Sequence, residues 1–189
     1  MIFFVFPFVN FVRFVRDTLY EFSVFERKKS MLDLWTQRDL RWQNDSMALP
    51  NDRLGDLGCL VTCFSNLTIA TLKNPIPPGL FNTLLKLNKG YLGLAKGDCP
   101  KGQESYILYP VVEFLLNCKI EVDVKHDFTD YAKTYYIGKF EYSTGLTHFV
   151  NITNYKRGKD MVEIYDVFFG KRSTCNKRDF KRIMEVGFN

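Results

Sequence analysis

The chain has 189 residues, 46% of them apolar and 25% charged, and carries a formal net charge of +5. That length buries a core without disulfide or metal support, and the composition excludes a wholly disordered or collagen-like chain. The mild positive charge permits an anionic partner without demanding one. Five cysteines, an odd number with no paired framework, indicate free thiols and a reducing, cytoplasmic compartment.

Residues 1–30 read as an aromatic-rich arm and linker ahead of a main domain over 31–189. Met1 to Val9 is almost wholly apolar, and Phe recurs at Phe11, Phe14, Phe22 and Phe25. The run contains Pro7 and ends at Asn10, short of the roughly 20 apolar residues a spanning helix needs. Arg13 and Arg16 follow the run instead of preceding it, so the pattern of a signal peptide is missing. Such an arm suits docking on a protein or membrane surface, packing on its own domain, or an extension ahead of a working start at Met31.

The main domain then alternates legible signals. Asn44 to Gly58 is rich in turn formers and reads as a long loop. Leu60, Phe64, Leu67 and Leu72 predict a helix over Cys59–Lys73, stopped by the proline-rich run from Asn74. A second helix is predicted at Leu80–Leu87, closed by Asn88-Lys89-Gly90, and a third over Tyr106–Cys118 with Pro110 in its first turn. Strands are predicted at Ile120–Lys125, Thr134–Glu141, Phe149–Tyr155 and Met161–Phe168 from their Val, Ile, Tyr and Phe content. Asn176 reads as the cap of a short basic helix reaching Val186. Helices first and an antiparallel sheet second make an α+β domain.

The chemistry gathers at Gly55-Asp56-Leu57-Gly58-Cys59-Leu60-Val61-Thr62. A thiol in the first turn of an apolar helix meets unpaired amides and the positive end of the helix dipole, and both favour thiolate. A thiolate nucleophile needs an imidazole held by a third group. The chain has two histidines. His126 sits in a polar turn and reads as structural, whereas His148 opens a strand and Asp166 ends the next. A hairpin register centred on Arg157 pairs His148 with Asp166 on one face, and a shift by one separates them. Cys63 reads as a core residue. Cys99, Cys118 and Cys175 have no base at a sensible position, and the cysteine spacing offers no zinc site.

Gln37-Arg38-Asp39-Leu40-Arg41-Trp42, Leu54 to Thr62 and Asn88-Lys89-Gly90-Tyr91 together resemble the papain-like cysteine peptidases of the bacteriocin-processing type. The narrower likeness is to the C-thirty-nine-like domains of bacteria and bacteriophages, and it covers about residues 32–180. His148-Phe149-Val150 and Ile164-Tyr165-Asp166 fall where that family keeps its base and acid. The resemblance implies a papain-like fold with N-terminal helices packed on a C-terminal antiparallel sheet. It also implies a peptide or protein substrate, an acyl-enzyme and no cofactor or metal; the bacteriocin-processing members cut after a double glycine. Carried over by position, Cys59 is the nucleophile, His148 the base and Asp166 its orienting acid. Gln37 and the Cys59 amide would then donate to the oxyanion. Thr147 stands where the family usually has Gly, and Val167 where Pro often follows the acid.

Other functions share this pattern. The fold also serves as an inactive structural or binding module, for example in a phage virion, and the same Cys–His pair serves peptidoglycan amidases and endopeptidases. Lys171, Arg172, Lys177, Arg178, Lys181 and Arg182 make the C-terminus basic, yet no nucleic-acid motif accompanies them, so no specific nucleic-acid partner is expected. The sequons at Asn66 and Asn151 fall in a predicted helix and strand and read as chance matches.

Overall fold

Helices lead into an antiparallel sheet, an α+β arrangement, in the computed structural model, which describes residues 34–92, 107–122, 128, 134–143, 146–155 and 159–189. The expectations for the aromatic arm, for Cys99 and for His126 lie outside these residues. The four helices of the described residues are α1 (Leu54–Leu57), α2 (Cys59–Thr71), α3 (Pro78–Leu87) and α4 (Tyr109–Leu116). The strands are β1 (Cys118–Val122), β2 (Thr134–Glu141), β3 (Thr147–Asn154), β4 (Met161–Asp166), β5 (Lys171–Asn176) and β6 (Arg182–Phe188). All neighbours pair antiparallel in the order β1-β6-β2-β3-β4-β5, so β2 to β5 form a meander and β6 returns beside β2.

The local chemistry explains the boundaries. Gly58 joins α1 to α2, because a Cβ there would overlap the Leu54 carbonyl oxygen that accepts the Gly58 amide. Proline opens α3 and lies in the first turn of α4, where its missing N–H costs no helical bond. Asn117 ends α4 in the left-handed region, so the helix predicted to run to Cys118 stops there and Cys118 begins β1 instead. The stretch read as one long loop before Gly58 holds more order than expected: a bridge pairs Ser46 with Arg53, and α1 follows.

The C-terminus departs most from expectation. Asn176 does cap, forming a reciprocal capping box with Asp179, but only one 3₁₀ turn over Lys177–Asp179 follows. The chain then enters β6, so the basic helix to Val186 does not exist. Its i,i+4 lysine and arginine pairs therefore share no helix face. Lys177 is buried beside Asp160 at 3.7 Å, Arg178 reaches the same carboxylate at 3.5 Å, and Lys181 pairs with Glu141 at 3.7 Å.

Packing centres on β2 and β3, which are buried on both sides over Thr134–Lys139 and Phe149–Ile152. On one side Tyr136, Val150, Ile152, Val162, Ile164 and Ile183 form a continuous core, closed by Phe128 and Phe180. The Phe180 ring lies directly on Gly138, where a Cβ would overlap it. On the other side α2 crosses β3, and its residues Leu60 to Thr68 are all buried, so this is a central helix and not an amphipathic surface one. Its buried amides are paired. Asn66 bonds both backbone groups of Trp35 and the Asn151 side chain at 3.0 Å, and Asn151 donates to the Cys63 carbonyl at 3.0 Å. Asn66 and Asn151, each of which opens a sequon, are about 1% exposed.

Candidate active site

Cys59 is the first residue of α2, and no side chain caps that helix. The first helical bond runs from the Thr62 amide to the Gly58 carbonyl, so the amides of Cys59, Leu60 and Val61 precede it and point out of the helix start. Cys59 and the His148 ring border the same cleft, and Cys59 favours the charged form of that ring. The ring reaches Asp166: His148 Nε2 lies 2.9 Å from Asp166 Oδ1. Cys59, His148 and Asp166 are thus brought together.

The hairpin register explains how. The register centred on Arg157 would place His148 directly opposite Asp166. Instead, β3 pairs Asn151 with Tyr165 and Ile152 with Ile164, which sets Asp166 level with Val150. Val150 is two residues from His148 and shares its side of the pleat. Next to the turn the register is different, with Asn154 opposite Glu163, and a bulge at Thr153 takes up the extra residue. Without that bulge the pairing would run on one residue out of step and put His148 and Asp166 on opposite sides. The pairing therefore depends on one inserted residue.

Electrostatics fix the proton positions. Burial pushes Asp166 up, but hydrogen bonds from His148 and from the amides of Phe168 and Phe169 outweigh it and hold the carboxyl below its ordinary value. An ionised carboxylate only accepts, so His148 Nε2 carries the proton and Nδ1 is left for Cys59. Burial opposes the charged ring, but Asp166 and Cys59 prevail and raise His148 from 6.5 to about 9. The imidazolium therefore persists at neutral pH. Burial pushes the Cys118 and Cys175 thiols up to about 11 and Cys63 well above its usual range. All four described cysteines are free, and among the described residues no three His, Cys, Asp or Glu side chains gather as a metal site.

Gln37 reaches the same place from 22 residues upstream. The Gln37 amide and the Thr36 hydroxyl both donate to the Val167 carbonyl, at 2.9 and 2.7 Å, directly after Asp166. The Tyr165 hydroxyl donates to the Leu34 carbonyl at 3.0 Å. Val167, in the position where proline was expected, is the anchor for this segment. The Gln37 side chain is buried, with Nε2 donating to the Gly55 carbonyl at 2.9 Å and a second N–H remaining on that nitrogen.

Gln37, Cys59 and His148 border a cleft of about 450 Å³, within the range of ligand sites. Phe168 stands edge-on to the His148 ring at 6.3 Å, and the Arg38 guanidinium stacks on the opposite partner of that contact, 3.8 Å from the Phe168 ring centre. Sequence reasoning missed Phe168 and Arg38, and their aromatic–cation pairing has no local spacing to reveal it. Missed too was the buried pairing of Asn66 with Asn151, although both were rightly placed inside a helix and a strand.

Comparison of the chain with protein-family models and with curated proteins gives no match. The functional reading therefore stands on this geometry and on the motif resemblance.

Proposed function

We propose that this protein is a cysteine peptidase of papain-like fold, cleaving peptide bonds through an acyl-enzyme. The observation that carries the reading is the placing of Cys59, at the start of α2, and His148 on one cleft, with His148 Nε2 held 2.9 Å from Asp166 Oδ1. In this mechanism His148 Nδ1 holds the Cys59 proton, leaving Sγ as thiolate beside an imidazolium. Sγ attacks the peptide carbonyl carbon. The oxyanion that forms is met by the Cys59 amide and the free N–H of Gln37. Collapse of this intermediate breaks the C–N bond, and His148 gives its proton to the departing amine. Water, deprotonated by His148, then releases the acyl group from Cys59. Asp166 keeps the ring in the tautomer each step requires.

The test is digestion of a diverse peptide mixture, with products read by mass spectrometry. Wild-type protein should give new termini and a thioester adduct on Cys59 that accumulates under rapid acid quench. Cys59→Ala should give neither. Equal product formation by both proteins would refute the assignment.

A further inference from the structure

The cleft beside Cys59 is unusual for what covers it. Its inner wall is apolar and buried, with Met47, Leu60 and Ile107 all at most 7% exposed. Its rim carries Leu57, Tyr142, Leu146 and Phe169, which are 41% to 66% exposed. Large apolar side chains left in water usually mark a surface that meets a partner, and here four of them surround one opening. They come from separate places, α1, the β2–β3 connection and the turn after β4, so no single amphipathic segment accounts for them.

We infer that this cleft takes a peptide with a bulky aliphatic or aromatic side chain, leucine- or phenylalanine-like, at a residue flanking the bond to be cut. A pair of glycines, the sequence preference that the resemblance would import, has no side chain to cover these surfaces. A bulky apolar side chain removes both itself and the rim from water, and that burial is what would select it. The inference rests on the peptidase reading for the meaning of the bond, but its binding claim is separable.

The experiment measures protection of Cys59 from iodoacetamide at about pH 9, where any accessible thiol ionises enough to react whether or not the site is catalytic. Acetyl-leucyl-leucinamide, acetyl-phenylalanyl-leucinamide and acetyl-glycyl-glycinamide are compared as protecting ligands, with alkylation read by peptide mass spectrometry. The leucine and phenylalanine peptides should protect at a concentration roughly ten- to hundredfold lower than the glycine peptide. Leu146→Ser and Tyr142→Ser, on the exposed rim, should each narrow that gap. Equal protection by all three peptides, stronger protection by glycine, or no protection by any would overturn the inference. Loss of peptide cleavage with the leucine preference intact would instead sink the peptidase reading alone.

Discussion

Asp166 Oδ1 accepts three hydrogen bonds, from His148 Nε2 and from the amides of Phe168 and Phe169. Those bonds hold the carboxylate ionised, and the carboxylate in turn supports the imidazolium. Asp166→Ala should therefore move the alkaline limb of kcat/KM from about 9 down toward the ordinary histidine value and lower kcat by roughly 10²- to 10⁴-fold. Asp166→Asn keeps an acceptor and should lose less; a pH–rate profile of both variants measures this. Gln37→Ala should lower kcat by about 10²-fold with KM nearly unchanged, because the oxyanion exists only after attack. Steady-state kinetics that show a rise in KM alone would assign Gln37 to substrate binding. Cys59, His148 and Asp166 were legible because the chain offers so few imidazoles and only one cysteine that follows a glycine at a helix start. Gln37 was legible only through resemblance, since tertiary bonds to Val167, and no local spacing, bring it to the cleft.

Between elements, the site is held by α2 and by the β3–β4 hairpin. Gly58→Ala would push a methyl group into the Leu54 carbonyl and force α1 and α2 apart at the residue before Cys59. Overpacking of this kind costs about 1–3 kcal/mol, so a lower urea midpoint and slower Cys59 alkylation should appear together. Asn151→Ala removes the bond that joins β3 to the Cys63 carbonyl and leaves an Asn66 donor one partner short. Its expected cost is about 1–3 kcal/mol, read by urea denaturation, and a loss below about 0.5 kcal/mol would show that water replaces the amide freely. The strands β2 to β4 were legible from their apolar β-branched and aromatic content. The bulge at Thr153 was not, because nothing in Ile152-Thr153-Asn154 announces an extra residue. The β6 strand was misread for a different reason. Asn176 carries a true cap signal, and the four-residue spacing of Lys177, Lys181, Arg178 and Arg182 imitates a helix, while Arg182 to Phe188 actually pairs with both β1 and β2.

Across the molecule, the raised His148 links folding to pH. A group raised from 6.5 to about 9 contributes stability that is complete below pH 6.5 and is lost as pH rises through 9. Asp166, held below its ordinary value, contributes in the opposite sense: its share is present above the usual carboxylate range and is lost as acid protonates it. The urea midpoint of the wild type should therefore decline between pH 6.5 and 9, and His148→Gln should flatten that decline. Parallel curves for the two proteins would mean that the pairing adds nothing to the folded state. Among the described residues no helix is long and apolar enough to cross a membrane. The basic residues near the C-terminus are spread over β5, a 3₁₀ turn, the link after it and β6, with three of them paired to Asp160 or Glu141, so they form no single cationic helix face.

The thiolate–imidazolium pair is the centre of this account, and the pH dependence of Cys59 alkylation by iodoacetamide tests it most directly. Wild-type protein and His148→Ala are compared, with each cysteine followed by peptide mass spectrometry. Cys59 should react rapidly well below pH 8 in the wild type, lose that reactivity without His148, and outpace Cys63, Cys118 and Cys175, whose burial raises their thiols. A Cys59 that titrates like a free thiol, with the same profile whatever stands at position 148, would contradict it.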